Sequence, residues 1–288
     1  MARRRRGREI ITEQVEFGEA ELEQDPQRPT AWMLRLDGTP QSYVDLARPH
    51  WLEFEYVRRL GAVLDLAAPP RQPLRVLHLG AGGLSLPRYV EATRPGSTQR
   101  VVERDAALIA FVRRWLPLPR GADLRVRVGD ARDVVESMRA GRFDVVINDV
   151  YSGARMPGRL ATVEFAQQVA RILGPGGIYA ANFADGRSLA FVRGQLATLR
   201  EVFPQVCAVG EPSTLRGRRF GNIVAVAVTA GGRLPVPKLT TAVVRDTFPA
   251  RVLHGSEVAR FVGGARPVTD ESAADSPEPP PALFASTR

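Results

Sequence analysis

The sequence predicts an α/β fold: a doubly wound, mostly parallel sheet with a small N-terminal antiparallel β-element. Three observations carry this. Apolar runs of strand length alternate with segments of helical spacing between about residues 74 and 202. The first run ends in a glycine cluster that opens a helical segment. Ahead of them, residues 31–46 are apolar β-type sequence on both sides of Asp37-Gly38, a strong hairpin signal.

Taken in order, the chain opens with Arg3-Arg4-Arg5-Arg6 and then Glu9, Glu13, Glu16, Glu19, Glu21, Glu23 and Asp25. Blocks of like charge repel and stay solvated, so residues 1–12 are expected to be a disordered basic N-terminus. No apolar region follows the arginines, which speaks against an export signal and for a cytoplasmic protein. Residues 13–66 are expected to form the β-hairpin element and a linking helix, with Trp51, Phe54, Val57, Leu60, Val63 and Leu64 at helical spacing before Pro69-Pro70.

Residues 67–262 form the main unit. Strand-like runs at 74–79, 100–103, 124–128, 143–148 and 178–183 alternate with helical patterns near 86–93, 105–116, 131–139, 160–173 and 187–202. That alternation predicts right-handed βαβ units. Runs at 205–211 and 221–229, either side of Arg216-Gly217, close the pattern as an antiparallel pair. From Gly263 the sequence is Gly, Ala, Ser, Pro and acid, too poor in apolar surface to offset ordering entropy, and 263–288 is expected to be a disordered tail.

Composition excludes several function classes. The 288 residues are 44% hydrophobic and 25% charged, as in ordinary soluble globular proteins. No stretch approaches the length of a membrane span. The single Cys207, an expected buried thiol, excludes a disulfide framework and any multi-cysteine metal site. His50, His78 and His254 are scattered without an acid cluster, so no metal is expected; His78, inside an apolar strand, is expected to be a buried, hydrogen-bonded residue. The net charge of +9 includes Arg216-Gly217-Arg218-Arg219, read as a solvated hairpin tip. Aromatic residues do not interleave with the basic runs, so no nucleic-acid partner is expected.

The residues that could carry chemistry lie at strand ends. Val76-Leu77-His78-Leu79 runs into Gly80-Ala81-Gly82-Gly83, where backbone can approach a ligand without interference from a Cβ. Tight strand-to-helix packing would also explain such glycines. Glu103 ends the next strand, where a doubly wound fold offers an acid to ribose hydroxyls. The third ends at Gly129-Asp130-Ala131; Asp130 can accept from an adenine amino group, cap the following helix, or both. The fourth ends at Asn148-Asp149-Val150-Tyr151, and Asp149 suits a general base or a cation anchor, with a cap or turn role as the plainer alternative.

Together with Leu173-Gly174-Pro175-Gly176-Gly177, these motifs resemble the spermidine synthase (polyamine aminopropyltransferase) family, and Leu34 to Ser42 resembles the β-hairpin ahead of that family's catalytic domain. The nucleotide-site motifs are shared with class I S-adenosylmethionine-dependent methyltransferases. The resemblance spans about residues 30–230 and implies a Rossmann-like, methyltransferase-type sheet. It implies transfer of an aminopropyl group from decarboxylated S-adenosylmethionine to a polyamine such as putrescine, in a homodimer without metal. It assigns Asp149 as catalytic acid, Glu103 to ribose, Asp130 with Ala131 to adenine, Gln41 to the donor, and Gly80, Gly82 and Gly83 to the loop; Tyr151 and Asn182 are expected to touch substrate.

The departures fall where the family holds amines. Leu84 stands in the neighbourhood of an aspartate that binds the donor's amine, and Ser152 stands in place of a second aspartate of the catalytic loop. Trp51-Leu52-Glu53 replaces a Tyr-(His/Gln)-Glu element, and Asn182 a glutamine; Asp185 and Glu53 are candidate substitutes for the lost carboxylates. Two other readings therefore stay open: a methyltransferase using intact S-adenosylmethionine, and a nucleoside-binding relative without catalysis.

Overall fold

A computed structural model of the chain describes residues 2–5, 8–119 and 121–280. Strands β1 (Ala2–Arg5), β2 (Arg8–Val15), β3 (Gly18–Asp25), β4 (Arg28–Leu36) and β5 (Thr39–Asp45) form an antiparallel sheet in sequential order. Asp37 and Gly38 both adopt positive φ, +47° and +75°, and turn β4 into β5 as the hairpin signal predicts. Helix α1 (Glu55–Leu66) leads into the second sheet.

There β6 (Arg75–Leu79), α2 (Ser85–Thr93), β7 (Thr98–Glu103), α3 (Ala106–Trp115), β8 (Leu124–Val128), α4 (Ala131–Ser137), β9 (Phe143–Asn148), α5 (Val163–Ile172) and β10 (Leu173–Asp185) alternate as expected. They are followed by α6 (Ala190–Val202), β11 (Gln205–Gly210), α7 (Pro212–Leu215), β12 (Gly221–Val228), α8 (Val236–Val244), β13 (Arg251–His254) and α9 (Ser256–Val262). The eight strands lie in the order β13-β11-β12-β10-β9-β6-β7-β8. The pairs from β10 through β8 are parallel, and those among β10, β12, β11 and β13 antiparallel. The order reverses between β6 and β9, which opens a crevice at their carboxyl ends.

Side chains alternate across this sheet with the period of a strand. Leu77, Leu79, Val146 and Tyr179 face α4, α5 and α6, while Val76, Val145, Ile147 and Ile178 face α1 and α8. A third cluster joins the N-terminal sheet to the main one, with Ile11, Leu22, Leu34 and Val44 packed against Leu84, Leu108 and Phe111. No helix among the described residues is long and apolar enough to cross a membrane.

The two expected disordered ends are corrected where they are described; residues 1, 6 and 7 lie outside the described residues. Residues 2–5 and 8–12 lie in β1 and β2, because Ile10 and Ile11 pair with Glu23 and Leu22 and Ile11 is buried; the charge-block argument missed that apolar pair. Residues 263–280 lie along α5 and the loop before it. Val163 N donates to Val268 O (2.8 Å), Met156 N to Ser276 Oγ (2.9 Å) and Arg155 Nε to Ser276 O (2.7 Å). Arg132 holds Asp270 by two bonds of 2.6 Å. Polar partners, not apolar area, fix this segment, so composition could not reveal it. Of the expected tail, residues 281–288 lie outside the described residues.

Candidate active site

At the carboxyl ends of β6, β7, β8 and β9 lies a cavity of about 190 Å³. Its wall includes Gly80, Ala81, Gly82, Glu103, Asp130, Ala131, Asp149 and Tyr151 from the main sheet, and Gln41 and Ser42 from β5. The sequence-predicted residues are thus mostly brought together, and the N-terminal hairpin forms part of the wall.

The glycines are required by close approach. Gly80 has φ +89°, and a Cβ there would lie 2.4 Å from the Asp149 carbonyl oxygen. A Cβ on Gly82, at φ +47°, would lie 2.5 Å from Ser42 Oγ, the atom that accepts from Gly83 N at 2.9 Å. The loop is wedged between β9 and β5. Gly83 belongs to that wedge and does not line the cavity.

Glu103 Oε2 accepts from Ala81 N (3.0 Å), while Oε1 accepts from Arg104 N (2.8 Å) and Asp105 N (3.1 Å). The carboxylate is therefore fixed in orientation against the glycine loop. Asp130 caps α4 through Arg132 N (2.8 Å) and pairs with Arg159 at 3.0 Å, so the capping role holds at a residue that also lines the cavity.

Asp149 carries the electrostatic signature of a candidate base. Burial pushes its carboxyl up to about 6, against the opposing effect of Asn182 and of the Tyr56 hydroxyl, which favour the charged form. Asn182 Nδ2 donates to Asp149 Oδ1 at 3.0 Å. No cation pairs with Asp149 among the described residues. Tyr151 donates to Asn182 O (3.0 Å) and accepts from Ala184 N (3.1 Å), so its hydroxyl is committed to β10. Burial raises the Tyr56 and Tyr151 hydroxyls well above their usual range and keeps both protonated.

Several expected positions are corrected. Asn182 is buried behind Asp149 and does not line the cavity; it orients the carboxylate. Leu84, at φ +62°, turns into the third cluster and away from the wall. Neither candidate substitute reaches the cavity. Asp185 holds the start of α6 through Gly186 N (2.7 Å) and Val192 N (2.9 Å), and Glu53 receives Trp51 Nε1 at 2.8 Å. Ser152 does line it, and its Oγ accepts from Arg104 Nη2 at 2.9 Å.

Sequence reasoning passed over Tyr56, Arg104 and Phe17. Tyr56 packs with the apolar stripe of α1, where it reads as a core aromatic, and meets Asp149 only through tertiary packing. The Arg104 guanidinium lies 3.9 Å from the Phe17 ring, roofing the mouth from the β2–β3 turn. Asp105 fastens that turn by accepting from Phe17 N at 3.2 Å. Among the described residues no group of His, Cys, Asp and Glu is disposed to hold a metal ion.

Comparison with known proteins agrees with this geometry. No protein-family model matches the chain. A probable spermidine synthase from Corynebacterium glutamicum, solved as a crystal structure, is 35% identical, superposes with a TM-score of 0.82, and aligns over 90% of this chain and 96% of its own. The polyamine aminopropyltransferase of Vibrio vulnificus is 30% identical over 152 residues, 52% of this chain and 49% of that protein. That of Chromobacterium violaceum is 28% identical over 149 residues, 51% and 56% respectively. The alignments thus span about half the length of these curated relatives. With the near-complete match to the Corynebacterium protein, the chain belongs to the spermidine synthase (polyamine aminopropyltransferase) family.

Proposed function

We propose that this chain transfers an aminopropyl group from decarboxylated S-adenosylmethionine to an aliphatic amine of the polyamine class, with putrescine the simplest acceptor. The observation that carries the reading is Asp149: a carboxylate pushed up to about 6, at the carboxyl end of a central strand, flush with the glycine loop.

Glu103 accepts from the ribose hydroxyls, Asp130 from the adenine amino group beside Ala131, and Gln41 faces the donor across the Gly80-Ala81-Gly82 loop. Tyr151 offers its ring face to the acceptor chain. The amine nitrogen attacks the methylene carbon bonded to the sulfonium. The C–S bond breaks with its electron pair passing to sulfur, the N–H proton passes to Asp149, and 5′-methylthioadenosine leaves with the lengthened amine. An aliphatic ammonium has a pKa of about 10, so in the empty site a base near 6 stands about 2 units, or about 3 kcal/mol, closer to it than an ordinary aspartate, a margin that the donor's positive charge reduces. The base is still mostly ionised above neutral pH.

Mass-spectrometric analysis of products with putrescine and each sulfonium donor tests this. Aminopropyl-putrescine and methylthioadenosine are expected from the decarboxylated donor. A methylated product from intact S-adenosylmethionine, without aminopropyl transfer, overturns the reading in favour of a methyltransferase.

A further inference from the structure

His78 is a polar side chain on β6 that the transfer reaction above does not use. It is 2% exposed, lies two residues before Gly80, and lines the cavity together with Val57, Leu86, Pro87 and Ile147. Its strand neighbours are Val101 on β7 and Ile147 on β9. These residues make an apolar part of the cavity wall, hereafter the branch, about two strand residues, or roughly 6–7 Å, inward from the level of Asp149.

Its hydrogen bonding fixes its tautomer. Gln99 Nε2 donates to Pro87 O at 3.0 Å, and a proline carbonyl can only accept. Gln99 Oε1 therefore faces His78 Nε2, 3.0 Å away, and Nε2 carries the hydrogen. Nδ1 is left as a bare acceptor, buried and without a partner. Burial pulls the imidazole down to about 4, so it is uncharged at any working pH. His78 touches the cavity while its Nδ1 is buried, and an acceptor held in one tautomer without a partner calls for a donor.

We propose, resting on the transfer reading above, that His78 Nδ1 accepts a hydrogen bond from the far end of the acceptor amine. We further propose that the branch takes a chain ending in an uncharged donor, a hydroxyl or unprotonated amine, at least as well as one ending in an ammonium. The branch walls are apolar and its one polar group is neutral. An ammonium entering it gives up hydration without gaining a counter-charge, whereas a hydroxyl gains the same hydrogen bond with less to lose.

The test compares putrescine, 4-aminobutan-1-ol and butylamine as acceptors. In the wild type kcat/KM for the amino alcohol equals or exceeds that for putrescine, and exceeds that for butylamine by about tenfold, the worth of one neutral hydrogen bond. In His78→Phe the preference of hydroxyl over methyl end disappears. The variant also strips Gln99 Oε1 of its donor, so kcat/KM for butylamine and the affinity for the nucleoside donor serve as controls on the site, each expected within about threefold because neither molecule uses the Nδ1 acceptor. A second measurement needs no variant. The chain has three histidines, so ¹⁵N NMR resolves His78 Nδ1. Its resonance moves upfield when 4-aminobutan-1-ol joins the methylthioadenosine complex, and not with butylamine. Amino alcohol binding without that movement overturns this inference and leaves the transfer reading intact, as does a strong preference for putrescine over the amino alcohol. Absence of transfer to all three amines removes the transfer reading, and this inference with it.

Discussion

Asp149→Asn removes the charge at the end of β9 while keeping the side chain's size. The Asp149 carboxyl stands near 6 against an ordinary 3.8. Because the folded value is raised, the stability this group contributes is complete below about pH 4 and lost as pH rises through about 6. At about 1.4 kcal/mol per unit, ionised Asp149 costs the fold about 3 kcal/mol at pH 8. Asparagine carries no charge to desolvate, and its carbonyl oxygen can keep the bond from Asn182 Nδ2, 3.0 Å in the wild type. Its amide nitrogen cannot accept from Tyr56, which forfeits about 1 kcal/mol.

The variant should therefore be about 2 kcal/mol more stable than wild type at pH 8, with no gain near pH 4. Aminopropyl transfer should fall by about 10²–10⁴-fold while nucleoside affinity holds. Urea unfolding at pH 4, 6 and 8 with single-turnover kinetics reads both. A variant less stable at pH 8, or a gain already present at pH 4, would refute the desolvated-carboxylate argument. Retained turnover would sink Asp149 as the base.

Tyr56→Phe removes a hydroxyl that favours ionised Asp149, so the acidic limb of the kcat/KM profile should move up from about 6; an unmoved or lowered limb contradicts the contact. Gly80→Ala puts a Cβ 2.4 Å from the Asp149 carbonyl oxygen at a positive φ. It should cost about 2–3 kcal/mol in chemical denaturation and displace the base, so a loss of activity follows. Asp130→Ala strips the cap from Arg132 N and should cost about 1 kcal/mol of stability. If Asp130 also holds adenine, calorimetry on the same variant shows weaker nucleoside binding; an affinity equal to wild type reduces it to a cap.

The alternation of strand and helix from β6 to β10, the Asp37-Gly38 turn and the placing of Asp149 at a strand end were legible because each rests on local chemistry. Period-two burial, turn residues with positive φ and a polar residue closing an apolar run are all written within a few positions. What was missed depends on distant partners. Ser276 gains order from Met156 and Arg155, more than a hundred residues away in sequence. Leu84 leaves the wall because its left-handed backbone turns the side chain toward Val44 and Leu108, which no count of positions along the loop reveals. Asn182 and Tyr56 converge on Asp149 from two different elements. The short edge strand β13, in a region with no strong periodicity, exists through pairing with β11.

The charges of the cavity point to an order of events. In a chain of net charge +9, the lining carboxylates Asp37, Glu103, Asp105 and Asp130 are each held by backbone N–H groups. Asp149 is the one pushed toward neutrality by burial without an opposing cation. In the proposed reaction the sulfonium of the donor is the cation that arrives beside it. An adjacent positive charge stabilises the carboxylate, so donor binding should draw the Asp149 pKa down from about 6 and leave the base ionised when the amine enters. Methylthioadenosine has the same nucleoside but an uncharged sulfur, and should leave the value where it is. Infrared titration of the Asp149 carboxylate, identified by its loss in Asp149→Asn, distinguishes the two complexes. Equal shifts with sulfonium and thioether would place the donor's charge away from Asp149 and remove the electrostatic reason for donor binding first.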